Sequence, residues 1–207
     1  MELIAINFYA SENLEKDKRM FGHWSRLKEL STPIKNAQLF GSHSFALKRH
    51  RYLPIKKIYI YRDGRDVAFS MWNSEFFDEK WGDISFQDYL RKNLDWFSTP
   101  TFKSDYNKTI LEHWHNHVSS WLVTPDRFVL KLRYEEVVQD QKRAVQQIAS
   151  FLNVDLPADI KIVEKLVGLS PNQGMVHKWK NHLDKEDYDY INKLVPNSEE
   201  LFWVYPT

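Results

Sequence analysis

The 207-residue chain contains no cysteine. This absence excludes a disulfide framework and any metal site built from cysteine ligands. Long apolar runs are missing as well, since no stretch approaches the roughly 20 residues that a membrane-spanning helix needs. The start, Met1-Glu2-Leu3-Ile4, lacks the basic and then apolar layout of a signal peptide. We therefore expect a cytoplasmic protein without a membrane span.

The chain also lacks an excess of charge of one sign. Its 29 basic and 28 acidic residues give a net charge of +1, which argues against a general polyanion binder. We expect no nucleic-acid partner, and any anion site must be local. Apolar and aromatic residues are plentiful, with a hydrophobic fraction of 43%, 13 Phe, 10 Tyr and 8 Trp. This composition predicts an ordered protein, and the length fits a single domain over residues 1–207.

Residues 58–70 predict a strand, a tight turn and a helix. Residues 58–61 are β-branched or aromatic, and Asp63-Gly64 then interrupts them. The next apolar residues recur at helical spacing: Val67, Ala68, Met71 and Trp72. Such a turn leaves the backbone N–H groups of a helix N-terminus beyond the carboxyl end of a strand. An anion is favoured at that position.

Two polar side chains flank this turn. Arg62 lies at the predicted strand end, and Ser70 lies one to two turns into the predicted helix. A guanidinium and a hydroxyl so placed could bind one phosphate together. The alternative is that Arg62 pairs with Asp66 while Ser70 faces water, and the pattern alone does not decide between them.

Strands and helices alternate along the chain. Residues 37–40 predict a short strand that leads to His43 on a loop, and residues 127–132 predict another strand that ends before Tyr134. Helical spacing predicts further helices, which are residues 114–121, residues 141–152, a third that starts at Asp155, and an apolar stripe within residues 11–30. This alternation predicts parallel strand pairing and a three-layer α/β architecture.

The remaining candidate site residues are two histidines and the segment around one tryptophan. A lone histidine such as His43 is usually structural or solvated, and His117 is more often a packed helix residue than a ligand. Two lysines flank Trp179 after Gly174. This segment could close over an anionic ligand, or it could be a solvated loop that one aromatic side chain anchors.

Together, these segments resemble the sulfotransferases that use 3′-phosphoadenosine 5′-phosphosulfate (PAPS), from about residue 40 to residue 183. Arg62 is followed eight positions later by Ser70, as in the family's 3′-phosphate-binding segment. Residues 114–121 are similar to the family's helix with Trp, His-Val and Trp, and residues 130–136 resemble its strand ending in Tyr-Glu-Asp. Trp179-Lys180-Asn181 resembles the loop that closes over the cofactor.

The resemblance implies a P-loop-kinase-like sulfotransferase fold, in which helices flank a parallel sheet. It implies transfer of a sulfuryl group from PAPS to a hydroxyl or amine of a small-molecule or carbohydrate acceptor, with adenosine 3′,5′-bisphosphate (PAP) as the other product. The implied general base is His43, and the implied acceptor contact is His117. The implied nucleotide ligands are Arg62, Ser70 and the backbone at Gly174 for the 3′-phosphate, and Tyr134 near the adenine. No metal is needed, because the cofactor brings an activated sulfuryl group.

Two departures from the family pattern stand out. The Lys/Arg-Ser-Gly-Thr-type loop for the 5′-phosphosulfate has no match, since the nearest segment, residues 9–12, has no glycine. We expect the chain to begin after that loop, with a fold that is incomplete at the N-terminus. The family's Arg-Lys-Gly is Asn172-Gln173-Gly174 here, and its Gly-Asp is His177-Lys178. His177 and Lys178 are candidates to replace the missing cations.

Two other functions fit the same sequence. One is a catalytically silent protein that binds only the adenosine bisphosphate end of the nucleotide. The other is an interaction protein whose partner surface is the aromatic-rich region of residues 76–102. The sequence does not identify the acceptor or the oligomeric state.

Overall fold

The computed structural model describes residues 21–23, 39–41, 45–46, 56–73, 84–93, 108–125, 127–162 and 177–195. The strands and helices in chain order are β1 (Phe21–His23), β2 (Leu39–Gly41), β3 (Lys57–Tyr61), α1 (Gly64–Trp72), α2 (Phe86–Arg91), α3 (Ile110–Leu122), β4 (Val129–Arg133), α4 (Tyr134–Gln139), α5 (Gln141–Leu152), a 3₁₀ helix (Lys178–His182) and α6 (Lys185–Leu194).

The described strands pair in parallel, as the alternation of strands and helices predicts. β3 pairs with β4 over five residues, from Lys57 opposite Val129 to Tyr61 opposite Arg133. β1 pairs with β2, also in parallel. Because parallel strands end at the same edge of a sheet, the segments that follow β3 and β4 begin side by side. That edge therefore brings Arg62 and Tyr134 together.

The main core lies between α1, α2, α3 and the C-terminal helices. Its largest fully buried side chains include Trp179, Tyr89 and Phe86. Two of these, Phe86 and Tyr89, belong to the aromatic-rich region, and their exposed fractions are 2% and 0%. A smaller cluster of Leu132 and Ile148 packs α5 against β4. The core thus holds α1 and the 3₁₀ helix in fixed positions at the edge where β3 ends.

Side-chain caps define where several helices begin. Asp63 caps α1, and Thr109 and Asp184 each form a capping box, with Glu112 and Asp187 respectively. In each cap an oxygen of the side chain accepts a backbone N–H that the helix itself leaves unpaired. Helix α6 is absent from the sequence predictions, although the Asp184–Asp187 capping box is its local signal.

Two predicted helices need correction. Residues 154–162 have irregular backbone, so no helix starts at Asp155. The reason is a lack of packing: Val154, Leu156 and Ile162 are 47%, 46% and 52% exposed, and short helices depend on a buried apolar face. Within the predicted stripe of residues 11–30, residues 21–23 form strand β1. The rest of that stripe, and residues 9–12, lie outside the described residues.

Among the described helices, none has the length and apolar character to cross a membrane.

Candidate functional site

The turn between β3 and α1 is fixed by buried carboxylates. The backbone N–H of Asp63 donates to Glu135 Oε1 at 2.9 Å, which links the end of β3 to the start of α4. Both carboxylates are almost fully buried, with exposed fractions of 2% for Asp63 and 6% for Glu135. Burial raises the pKa of Glu135 above its ordinary value. The two strand ends are therefore joined by a hydrogen bond inside the protein.

Asp63 also occupies the N-terminus of α1. Its carboxylate accepts the backbone N–H of Arg65 at 2.9 Å and forms an ion pair with the Arg65 guanidinium at 2.6 Å. The sequence predicts backbone N–H groups open to an anion at this point, and at Arg65 that prediction is wrong. The chain's own carboxylate already fills the position, so a phosphate here must rely mainly on side chains.

Arg62 lies directly beyond β3. Its Nη2 is 3.5 Å from Asp66 Oδ2, and its guanidinium lies over the Tyr134 ring, 4.9 Å from the centroid. The ion pair that the sequence left open as an alternative is therefore present. Arg62 keeps 19% of its side chain exposed, whereas Asp66 keeps 1%. The guanidinium thus lies between a buried carboxylate, an aromatic face and solvent.

Asp66 is the buried centre of this group. Burial is the main cause that raises its pKa above the ordinary value, and the nearby charge of Arg62 opposes that rise. Its Oδ2 accepts the backbone N–H of His177 at 2.9 Å, while its Oδ1 has no hydrogen-bond partner among the described residues. One carboxylate therefore joins the end of β3 to the segment before the 3₁₀ helix.

Ser70 lies in the last turn of α1 and is partly buried. Asp66 and Ser70 are four residues apart within α1, and this spacing places their side chains on one face of the helix. The hydroxyl therefore shares a helix face with Asp66, whose carboxylate forms an ion pair with Arg62.

The segment after Gly174 packs against α1. Trp179 is 2% exposed, and the Arg65 guanidinium lies 4.0 Å from its ring centroid. His177 precedes it with a left-handed backbone, at φ 64°. Gly174 itself lies outside the described residues, so its predicted contact stays a prediction.

Trp114 of α3 packs against the same turn. Its indole Nε1–H donates to the backbone oxygen of Arg62 at 3.0 Å. The ring leaves no space for a side chain at Gly64, because an added Cβ would lie 2.6 Å from Trp114 Cδ2. Glycine is needed here for this close approach.

Replacing Gly64 by alanine is expected to lower the free energy of unfolding by about 2 kcal/mol, since the added methyl overpacks a rigid ring. The melting temperature should then fall by about 4–8 °C. In a Trp114→Leu background the same substitution should cost less than about 1 kcal/mol, because the obstructing ring is gone. Denaturant unfolding of the four proteins measures this coupling. Equal costs in both backgrounds would contradict the steric explanation.

His117 lies on α3 within a group of aromatic rings. Its Nδ1 is 3.1 Å from the Tyr59 hydroxyl, and its ring centroid is 5.0 Å from that of Phe45. Burial raises the pKa of Tyr59, so this hydroxyl stays protonated. The hydroxyl and Nδ1 share one hydrogen bond. His117 is thus a packed residue whose ring the Tyr59 hydroxyl holds in place.

His43 lies outside the described residues, but the chain just after it is placed. Phe45 contacts the rings of His113 and His117, and the Ala46 N–H donates to Ser120 Oγ at 3.1 Å. The segment that follows the predicted base therefore runs along α3 beside His117.

The structure adds site residues that the sequence analysis missed. The sequence indicates Asp66 only as an alternative partner of Arg62. It indicates Glu135 only as part of the strand end that resembles the family's Tyr-Glu-Asp. Their main-chain partners, His177 and Asp63, are 111 and 72 residues distant in the chain. No local pattern encodes such pairs. By contrast, an aspartate directly before a helix is a recognised cap, and that signal could have identified the role of Asp63.

A family model described as a sulfotransferase domain matches residues 38–170, more than half of the chain. Sulfotransferase 2A1 of Macaca fascicularis is 32% identical over 186 residues, which cover 76% of this chain and 59% of that protein. Cytosolic sulfotransferase 9 of Arabidopsis thaliana is 23% identical, with 91% of this chain and 58% of that protein covered. Amine sulfotransferase of Oryctolagus cuniculus is 27% identical, with 76% and 60% covered. The chain spans less than two thirds of the length of these three relatives.

Solved structures show the same fold. Mouse sulfotransferase SULT7A1, complexed with PAP, matches with a TM-score of 0.58 at 17% identity, covering 89% of this chain and 77% of that one. Retinol dehydratase, in complex with androsterone and PAP, matches with a TM-score of 0.54 at 17% identity, covering 87% and 58%. The predicted sulfotransferase fold is thereby confirmed, and the chain belongs to the sulfotransferase domain family.

Proposed function

We propose that this protein transfers a sulfuryl group from PAPS to a hydroxyl or amine of a small-molecule acceptor and releases PAP. The observation that carries the proposal is the arrangement at the joined ends of β3 and β4. There the Arg62 guanidinium lies over the Tyr134 ring and pairs with Asp66, which shares a face of α1 with Ser70. Family membership and the PAP complexes of the solved relatives support the same nucleotide.

The described residues fit the 3′-phosphate end of such a nucleotide. A guanidinium carries five N–H donors, and the ion pair with Asp66 involves Nη2 at 3.5 Å, longer than a strong charge-assisted hydrogen bond. The exposed part of Arg62 can therefore donate to a phosphate while Asp66 holds its orientation. Ser70 adds a hydroxyl donor on the same helix face.

Each residue then has a defined task in the proposal. Arg62, Ser70 and the backbone at Gly174 bind the 3′-phosphate, and Tyr134 lies beside the adenine. When bound, PAPS supplies an already activated sulfuryl group. His43 accepts the proton of the acceptor hydroxyl or amine as that group is attacked. His117 contacts the acceptor. It belongs to the aromatic group that also contains Phe45 and Tyr59.

An apolar small molecule is the acceptor class that we favour over a carbohydrate. The rings of Phe45 and Tyr59 contact His117, and Trp121 stacks on Tyr59 with 5.2 Å between centroids. Such a wall suits an apolar body with one polar group. Relatives are named a 3-beta-hydroxysteroid sulfotransferase and an amine sulfotransferase. A cytoplasmic location stays part of the proposal, since one relative is named cytosolic.

The test combines nucleotide binding with a transfer assay on the full chain. Calorimetry should show PAP binding at least about tenfold tighter than adenosine 5′-monophosphate, which lacks the 3′-phosphate. Labelled PAPS should then pass its sulfate to a 3β-hydroxysteroid, a phenol or an aryl amine. Absence of PAP binding would overturn the whole proposal. Binding without transfer to any of these acceptors would overturn the catalytic part.

A further inference from the structure

His177 has a backbone conformation that side chains usually avoid. Its φ of 64° lies in the left-handed region, which glycine adopts freely and most other residues adopt at a cost. A costly conformation kept at a binding site suggests that the side chain has a task there.

The position of His177 indicates what that task is. Its backbone N–H donates to Asp66 Oδ2 at 2.9 Å, and the same oxygen lies 3.5 Å from Arg62 Nη2. The imidazole therefore starts beside the guanidinium that we assign to the 3′-phosphate. The ring is partly buried and lies 6.1 Å from that of Trp179, between centroids.

We propose that the imidazolium of His177 is a further ligand of the 3′-phosphate and makes nucleotide binding depend on pH. This inference rests on the proposed function. An imidazole differs from the permanent cation of Arg62 because it gains and loses its charge as the pH changes.

Burial and the surrounding charges set the pH range over which His177 gains its charge. Burial is the main cause that lowers the pKa of His177 below 6.5, Asp66 and Asp63 raise it, and Lys180 and Arg65 lower it. Arg62 pairs with the same Asp66 carboxylate, Glu135 accepts the backbone N–H of Asp63, and Lys178 follows His177 in the chain. A bound phosphate dianion favours the charged imidazole and so raises its pKa in the complex. The affinity for PAP should therefore increase as pH falls through the pKa of His177 in the complex, and it should level off below the lowered pKa of the free protein.

The experiment compares the wild type with His177→Asn, because asparagine tolerates the left-handed backbone but carries no positive charge. At pH 5.5 the variant should bind PAP about tenfold more weakly than the wild type, and at pH 8.0 within about twofold. Calorimetry in buffers of different ionisation enthalpy should also show that PAP binding to the wild type takes up more protons than PAP binding to His177→Asn. Protonation of PAP itself is common to both proteins and cancels in the comparison.

Two controls separate a ligand from a structural residue. His182→Asn removes a histidine of the same 3₁₀ helix whose ring packs on Phe69, 4.8 Å away between centroids, and it should leave the pH dependence unchanged. His177→Gly keeps the left-handed backbone and its N–H but deletes the ring. Loss of affinity at pH 5.5 in His177→Gly would support the proposal.

Several outcomes would overturn the inference. They are an affinity of His177→Gly that equals or exceeds that of the wild type at pH 5.5, a pH profile of His177→Asn that matches the wild type, and an equal loss for adenosine 5′-monophosphate. Failure of the wild type to bind PAP at any pH would instead refute the proposed function itself.

Discussion

Replacing Arg62 by alanine is expected to weaken PAP binding by about 100- to 1,000-fold, the range for losing a partly buried charged contact. Arg62 supplies the fixed positive charge at the end of β3, and Ser70 contributes only a neutral donor. Adenosine 5′-monophosphate should lose little affinity, because it has no group for this contact. Calorimetric titration with both nucleotides measures the difference.

The single substitution also leaves Asp66 buried without its cation, and such a loss destabilises proteins by about 3–5 kcal/mol. The double variant Arg62→Gln/Asp66→Asn removes both charges and should melt closer to the wild type. Arg143→Ala, which deletes an exposed arginine of α5, is the matched control for net charge. A folded double variant with wild-type affinity for PAP would refute the assignment of Arg62.

His43→Ala should lower the rate of sulfuryl transfer by about a thousandfold, within the range for loss of a general base. PAP affinity should stay within about twofold, because the proposed base contacts the acceptor and not the nucleotide. The described chain supports this division, since Phe45 and Ala46 pack on α3 beside His117. Single-turnover transfer and calorimetry measure the two effects separately.

His182→Asn controls for the loss of a histidine in this experiment. A transfer rate of His43→Ala within twofold of the wild type would eliminate His43 as the base. Parallel losses of rate and of PAP affinity would instead indicate that the residue positions the nucleotide.

The sequence predicts those elements whose signals are local. The β-branched run before Arg62 gives β3, and apolar spacing gives α1 and all of α5, because neighbours along the chain decide these structures. Alternation of strands and helices gives the parallel pairing of β3 with β4. The helix predicted to start at Asp155 fails, since Leu156 and Ile162 in that stretch are exposed and give no buried apolar face.

The site is only partly encoded in local pattern. Helical spacing places Asp66 and Ser70 on one face of α1, and parallel strand ends bring Arg62 to Tyr134. The carboxylates that hold this group reach partners far along the chain, so packing and not spacing selects them. The roles assigned to His43 and Gly174 stay predictions, as does the single domain over residues 1–207.

Trp114 has a practical consequence for redesign of the protein. Its indole belongs to the helix that carries His117. The same indole donates a hydrogen bond to the backbone oxygen of Arg62 and covers Gly64. Engineering a new acceptor preference through α3 therefore has to spare this tryptophan. Its removal would loosen the proposed nucleotide half of the site along with the proposed acceptor half.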